Sequence, residues 1–273
     1  MPSFQSLEGK IAVVTGAAQG MGRGIAQRLR DAGAQVVIAD VEAETLARTA
    51  GELGVFGVRT DVTSLESVEA LARTVVDKFG AVHVLVNNAG VGPLGPITDM
   101  TMNDWRWVTD VNLFGVIHGV QAFLPLLKAN EDGGYIVNTA SVSGVVSAPM
   151  TAAYAVSKFG VVALSEVLAQ ELELEGSKVG VSVLLPGPTR TSISTGSRNR
   201  PAGPAGLKDY DMEEMGLFES IPWKEPTQIG DIVIEAMARG DLHVFTHTVM
   251  LDELRARHRK IEAAASAAES AGR

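Results

Sequence analysis

Short apolar runs alternate along this chain with longer segments in which apolar residues return every three or four positions. The first run, "KIAVVTG" at 10–16, is apolar almost throughout and predicts a strand buried on both faces. It is followed by "MGRGIAQRLRDAG" (21–33), a helix-period segment closed by Gly33, and then by a second buried strand, "AQVVIAD" (34–40). The alternation continues with helices predicted over 45–53, 67–80, 105–130 and 152–173, and strands over 55–62, 82–90, 134–141 and 179–187. Strands without a polar face belong to parallel sheets covered by helices on both sides. The expectation is an α/β fold: a Rossmann-type doubly wound parallel sheet in one domain, 1–273, with ligands beyond the carboxyl ends of the strands.

Two stretches break the rhythm. Residues 192–226 form a long insert after a strand's carboxyl end, Gly/Pro/Arg-rich at first and then studded with Met212, Met215, Leu217, Phe218, Ile221 and Trp223. Such inserts are usually functional. The expectation is a substrate lid, hinged by "TGSRNRPAGPAG" (195–206). Residues 251–273 read as a charged, Ala-rich helix with a frayed tail.

Composition narrows the partners. The net charge of −9 argues against nucleic acid, and the absence of cysteine excludes disulfides and thiol chemistry. No basic region precedes an apolar stretch at the start, and no uninterrupted run of about 18 apolar residues occurs, so neither a signal peptide nor a membrane span is expected. A cytoplasmic protein acting on a small molecule fits these features. His243 and His247 are four apart near the end, but polar positions on a strand explain them better than a metal site; no metal is expected.

"TGAAQGMG" (Thr15 to Gly22) lies between the first strand and the first helix. Gly16, Gly20 and Gly22, with Gln19 and Met21 among them, let backbone approach a pyrophosphate at the positive end of a helix. Asp40 ends the second strand, where a carboxylate can accept from ribose hydroxyls. It would also repel a 2′-phosphate by roughly 3 kcal/mol at about 5 Å and an effective dielectric of about 20. No Lys or Arg adjoins it in sequence, so NAD is expected over NADP.

"YAVSK" places Tyr154 and Lys158 one helical turn apart, as neighbours on one face. Hydride exchange at a carbonyl needs a proton at the same oxygen. A tyrosine pKa near 10 is high for that role. An ammonium about 5 Å away favours the phenolate by roughly 3 kcal/mol, about two pKa units. Ser141, at the end of "YIVNTAS", can donate to a developing oxyanion.

The segment Leu7 to Thr191 closely resembles the short-chain dehydrogenase/reductase family. Its motifs occur in order: "TGAAQGMG", "DV" at Asp61–Val62, "NNAG" at 87–90, Asn112, Ser141, "YAVSK" and "PGPTRT" at 186–191. The resemblance implies that Tyr154 is the acid/base, Lys158 its partner, Ser141 the substrate-orienting hydroxyl and Asn112 the holder of a relay water. It also implies that Asp61 and Val62 meet adenine, that Asn88, Ala89 and Gly90 line the cofactor, and that Pro186, Gly187, Thr189 and Thr191 surround the nicotinamide. Family members often associate, so a homodimer or homotetramer is expected, although the 251–273 tail departs from the usual ending. "SISTGSRNRPA" resembles a subgroup that includes dehydrogenases of bulky aromatic or alicyclic secondary alcohols. The reading is an alcohol dehydrogenase/ketone reductase. A non-catalytic NAD-binding module is the alternative, though such a module need not keep Asn112, Ser141, Tyr154 and Lys158 together.

Overall fold

In the computed structural model, which describes residues 2–211, 213–214, 221–248 and 250–271, seven strands form one sheet in the order β3-β2-β1-β4-β5-β6-β7. They are β1 (Ile11–Thr15), β2 (Gln35–Asp40), β3 (Phe56–Arg59), β4 (Val84–Asn87), β5 (Gly134–Thr139), β6 (Val179–Leu185) and β7 (His243–Phe245). Every adjacent pair is parallel. The chain moves outward from β1 to β3, then crosses back to lay β4 on the other side of β1. That reversal opens a crevice between the loops after β1 and β4, the position where doubly wound sheets bind ligands.

The β1, β4 and β6 strands are buried along their whole length, which is why alternation is absent from their sequences. Helices α1 (Gly20–Asp31), α2 (Ala43–Leu53) and α7 (Pro226–Arg239) cover one face through Ile25, Leu29, Leu46, Ile229 and Val233. Helices α3 (Leu65–Phe79), α5 (Gly115–Ala129) and α6 (Ala152–Leu174) cover the other through Leu71, Phe123, Leu127, Leu168 and Leu172. The segments Met102–Ala129 and Ala152–Leu174 are long and apolar enough to cross a membrane, with mean hydropathies of 1.3 and 1.4. Much of that apolarity is core here, since Val116, Phe123, Val161 and Leu172 are buried.

The single helix expected over 105–130 is three pieces. Helix α4 (Met102–Thr109) starts earlier, because Thr101 and Asp104 form a reciprocal capping box that satisfies the first turn. A π turn, Asp110–Phe114, then separates α4 from α5. Its extra residue rotates α5 relative to α4 and puts Asn112 into the interior with no exposure. Helix α8 (Leu251–Ser270) has no buried residue and touches the body through Arg257, stacked over Phe159 at 5.0 Å.

The front of the insert is pinned, and the hinge expected there is corrected. Arg200 stacks on Trp107 at 4.6 Å and donates to the Leu207 carbonyl. It meets fully buried Asp104 at 3.1 Å, a charge contact rather than an aligned hydrogen bond. Asp104 also accepts from the Gly206 amide at 2.9 Å, and Leu94 exchanges backbone hydrogen bonds with Lys208. Of the apolar residues expected in the lid, Met212, Met215, Leu217 and Phe218 lie outside the described residues.

Removing one partner of a buried ion pair strands the other. Asp104→Ala is therefore expected to lower unfolding free energy by about 3–5 kcal/mol in a denaturant titration. A change below about 1 kcal/mol, the scale of an exposed pair, would show that this contact does not hold the insert.

Candidate active site

A cleft of about 720 Å³ runs across the carboxyl ends of the central strands. Every cofactor or catalytic residue expected from the sequence lines it, except Asn112. At its floor, Gly16 has φ +62, and a Cβ there would stand 2.6 Å from the Ala89 Cα. A Cβ on Gly22 would stand 2.4 Å from the Asn88 Nδ2 and from the Gly16 carbonyl oxygen. Only glycine lets the β1 and β4 loops close on each other at this point. Thr15 ties them together, its hydroxyl accepting from the Asn88 and Ala89 amides. Two buried side-chain oxygens on the cleft lining, Asn88 Oδ1 and Thr139 Oγ1, have no protein partner. A cradle that admits no Cβ, at a helix start and beside unpaired acceptors, fits a dinucleotide.

At one end, Asp40 accepts from the Ala18 amide at 3.0 Å and the Glu42 amide at 3.1 Å. Burial raises its pKa, and these hydrogen bonds offset part of the rise. No cation adjoins Asp40 in sequence, but one approaches this end in the fold. Arg198, far along the chain in the insert, reaches Glu42 with Nη2 at 2.5 Å, and Asn199 donates to the same carboxylate at 2.8 Å. Burial works against the charged Glu42, but the bonds from Asn199 and Arg198 outweigh it and hold its pKa below the usual range. Asp61, exposed at the rim, accepts from the Thr63 amide and hydroxyl. His118 lies 2.9 Å from the Val62 carbonyl.

At the other end stand the four polar residues. Ser141 ends the loop after β5, its Oγ accepting from the Ser143 amide at 3.1 Å and bonded to the Tyr154 phenol. Lys158 is buried, donates to the Thr139 carbonyl at 2.9 Å and sits 5.6 Å from the centre of the Tyr154 ring. Asn112 is beneath the cleft rather than in its wall. Its side chain grips both backbone groups of Val91, at 2.8 and 2.9 Å, and donates to Ser157 at 3.2 Å. Both amide hydrogens and one lone pair of Oδ1 thus serve to position the β4 loop.

The electrostatics differ from the simple picture of a cation acidifying a phenol. Burial raises the Tyr154 pKa, and the Ser141 hydrogen bond counters it only in part. Burial lowers the Lys158 amine to about 7. Burial thus disfavours the charged form of each group on its own.

The remaining wall is apolar: Leu94, Trp107, Val111, Val142, Val146 and Ile193, with Trp223 from the insert and Met250 from the start of the last helix. Met150 also lines it in a left-handed conformation, φ +68, its carbonyl accepting from Gly95 at 3.0 Å. Sequence reasoning missed Glu42, Thr139, Met150 and Met250. Thr139 alone carried a usable signal, two residues before Ser141 and so on the same strand face. Arg190 pairs with Glu213 and Glu225, and Arg200 with Asp104, so neither presents a free cation to substrate. Among the described residues, no group of three or more metal-ligating side chains occurs. His243 instead meets Glu166 at 2.8 Å.

Comparison with known proteins agrees with this geometry. Residues 10–202 match the family model described as short chain dehydrogenase. A short-chain dehydrogenase/reductase from Burkholderia phymatum, solved in complex with NAD, is 38% identical with a TM-score of 0.89, covering 95% of this chain and 96% of that one. The 3beta-hydroxysteroid dehydrogenase 2 of Eggerthella lenta is 36% identical over 70% of this chain and 75% of its own length. The 1-deoxy-11-beta-hydroxypentalenate dehydrogenase of Streptomyces exfoliatus is 38% identical over 77% and 78%.

The depressed amine makes a stability prediction. Between about pH 7 and 10.5 the unfolded chain holds a proton on Lys158 that the folded one does not, so stability rises with pH in that window and is lost as pH falls toward 7. Lys158→Met is expected to be more stable than wild type at pH 7 and to lack this rise, measured by denaturant titration across pH 7–10. A variant less stable than wild type at pH 7, with the same pH slope, would contradict it.

Proposed function

The chain belongs to the short-chain dehydrogenase/reductase family, and from that premise we propose that it is an NAD-dependent oxidoreductase interconverting a bulky aromatic or alicyclic secondary alcohol and its ketone. The observation that carries the reading is the grouping of the Ser141 and Tyr154 hydroxyls at the head of an apolar pocket, with Lys158 Nζ 5.6 Å from the phenol ring. Gly16 to Gly22 and Asn88 to Gly90 would hold the pyrophosphate and ribose, Asp40 the adenosine hydroxyls, and Pro186 to Thr191 the nicotinamide. When bound, the nicotinamide supplies or accepts the hydride. Tyr154 Oη takes the carbinol proton in oxidation and returns it in reduction. Ser141 donates to the same oxygen as negative charge develops on it. Lys158 holds its proton beside the phenolate, and Asn112 fixes the Val91 backbone under the reacting centre.

Asp40 and Glu42 together carry two negative charges against the single positive charge of Arg198 at the ribose end, which supports NAD over NADP. Apolar walls bind by burial at about 25 cal/mol per Å², so they reward large ring systems. The relatives named for hydroxysteroid and hydroxypentalenate point the same way. Exposed Phe114, Val156, Val167 and Leu174, on the π turn and on α6, support a homodimer or homotetramer, with the cytoplasm as its compartment.

Tyr154→Phe is expected to bind NADH as the wild type does and to turn over at least ~10²-fold more slowly in an NADH absorbance assay. Near wild-type turnover would end the acid/base assignment. NADH should bind at least ~10-fold more tightly than NADPH, with the gap narrowed by Asp40→Ser. Equal affinities in the wild type would remove the electrostatic basis for choosing NAD.

A further inference from the structure

His247 follows β7 and is 7% exposed, as is its neighbour Thr246. The two connect parts of the cleft that are distant in sequence. The Gly187 amide donates to Thr246 Oγ1 at 3.0 Å, and Thr246 Oγ1 lies 2.7 Å from His247 Nδ1. On the far side of the ring, His247 Nε2 lies 3.0 Å from the Pro222 carbonyl. A carbonyl only accepts, so Nε2 carries the hydrogen. In the neutral ring Nδ1 is then an acceptor, and the Thr246 hydroxyl must donate to it. The chain has one direction: Gly187 N–H to Thr246 O–H to Nδ1, and Nε2–H to Pro222. The ring is also pressed onto the loop, since a Cβ on Gly187 would stand 2.7 Å from Nδ1.

Pro222 precedes Trp223, the insert's aromatic contribution to the cleft wall. On the other side of Trp223, the Lys224 amide donates to the Pro188 carbonyl at 3.1 Å, and the Lys224 carbonyl accepts from the Arg190 amide at 3.0 Å. Trp223 is therefore held at both neighbours. One anchor is the Pro188–Arg190 backbone and the other is the imidazole.

We propose that His247 is a positioning residue for substrate specificity: its neutral ring fastens Pro222 to the Gly187 loop and so sets Trp223 against the bulky part of the substrate. This rests on the dehydrogenase reading for its consequence, though not for its geometry. Protonation would make Nδ1 a donor and the Thr246 hydroxyl its acceptor, while Nε2–H keeps its bond to Pro222. Of the charged groups on the segments packed against the ring, Lys224 acts on it directly, while Arg190 and Glu225 pair with each other at 3.0 Å. Burial lowers the imidazole pKa first and Lys224 adds to that, against the Pro222 carbonyl, so the ring is neutral at pH 7 and protonates only in more acid solution.

Two substitutions separate the two sides of the ring. A glutamine amide nitrogen falls near the Nε2 position and can still donate to Pro222, whereas an asparagine amide falls near Nδ1 and cannot reach it. Acrylamide quenching of Trp223, read as the difference between each protein and its Trp223→Phe counterpart, reports the wall without any substrate. Quenching should rise at least ~2-fold in His247→Asn and stay near wild type in His247→Gln; equal quenching in all three overturns the proposal. With a ring-bearing ketone and a short one as substrates, His247→Asn should raise KM for the bulky ketone about 10-fold, or 1.4 kcal/mol, with kcat little changed. His247→Gln should restore that KM. If the wild type reduces neither ketone while the quenching pattern holds, the dehydrogenase reading fails and the positioning role stands. If it reduces both and His247→Asn leaves both KM values and the quenching unaltered, the positioning role fails alone.

Discussion

The architecture depends on a lysine kept out of water. Lys158 Nζ has one protein acceptor, the Thr139 carbonyl, and the surrounding protein pulls its pKa down to about 7. Keeping such a group out of water costs the fold free energy, and its surroundings are closely packed. Thr139 is held in register between Leu184 and its own strand, and Gly144 lies against the Lys158 carbonyl where a Cβ would stand 2.8 Å away. The π turn spends Asn112 on the Val91 backbone and on Ser157, the residue beside Lys158. The low dielectric that penalises each charge separately also strengthens the attraction between phenolate and ammonium. The same burial therefore makes the pair costly to the fold and useful to the chemistry.

The insert extends this scaffold over the cleft by three attachments of different kinds. Arg198 and Asn199 hold the acidic end at Glu42, Arg200 enters the body at Asp104 and Trp107, and Pro222 to Lys224 lie along the loop after β6. The first is a half-exposed ion pair, which is cheap to open. The second is buried and expensive to break.

The sheet, the glycine cradle and the Tyr154–Lys158 pair were legible in the sequence because each is local. Buried parallel strands are continuous apolar runs, the cradle lies within eight consecutive residues, and one helical turn joins the pair. Strand ends were read too long, as with 55–62 against Phe56–Arg59. The π turn left no trace in periodicity, since a single extra residue shifts the apolar stripe without interrupting it. Arg198 and Arg200 stand two apart in one Gly/Pro-rich run. What separates them is the tertiary placement of Glu42 and Asp104, which no spacing encodes. His247 was hidden for the same reason: its value lies in what faces each ring nitrogen.

The central claim is that Lys158 sets the acid strength of Tyr154. The direct measurement is an ultraviolet titration of the Tyr154 phenolate, taken as wild type minus Tyr154→Phe, and repeated with Lys158→Met in both proteins. With Nζ 5.6 Å from the ring centre and an effective dielectric of about 20, the cation is worth roughly 3 kcal/mol to the phenolate. The account predicts a Tyr154 pKa higher in the Lys158→Met background than in the wild type, by up to about two units where Lys158 stays charged. The same pKa in both backgrounds would contradict it.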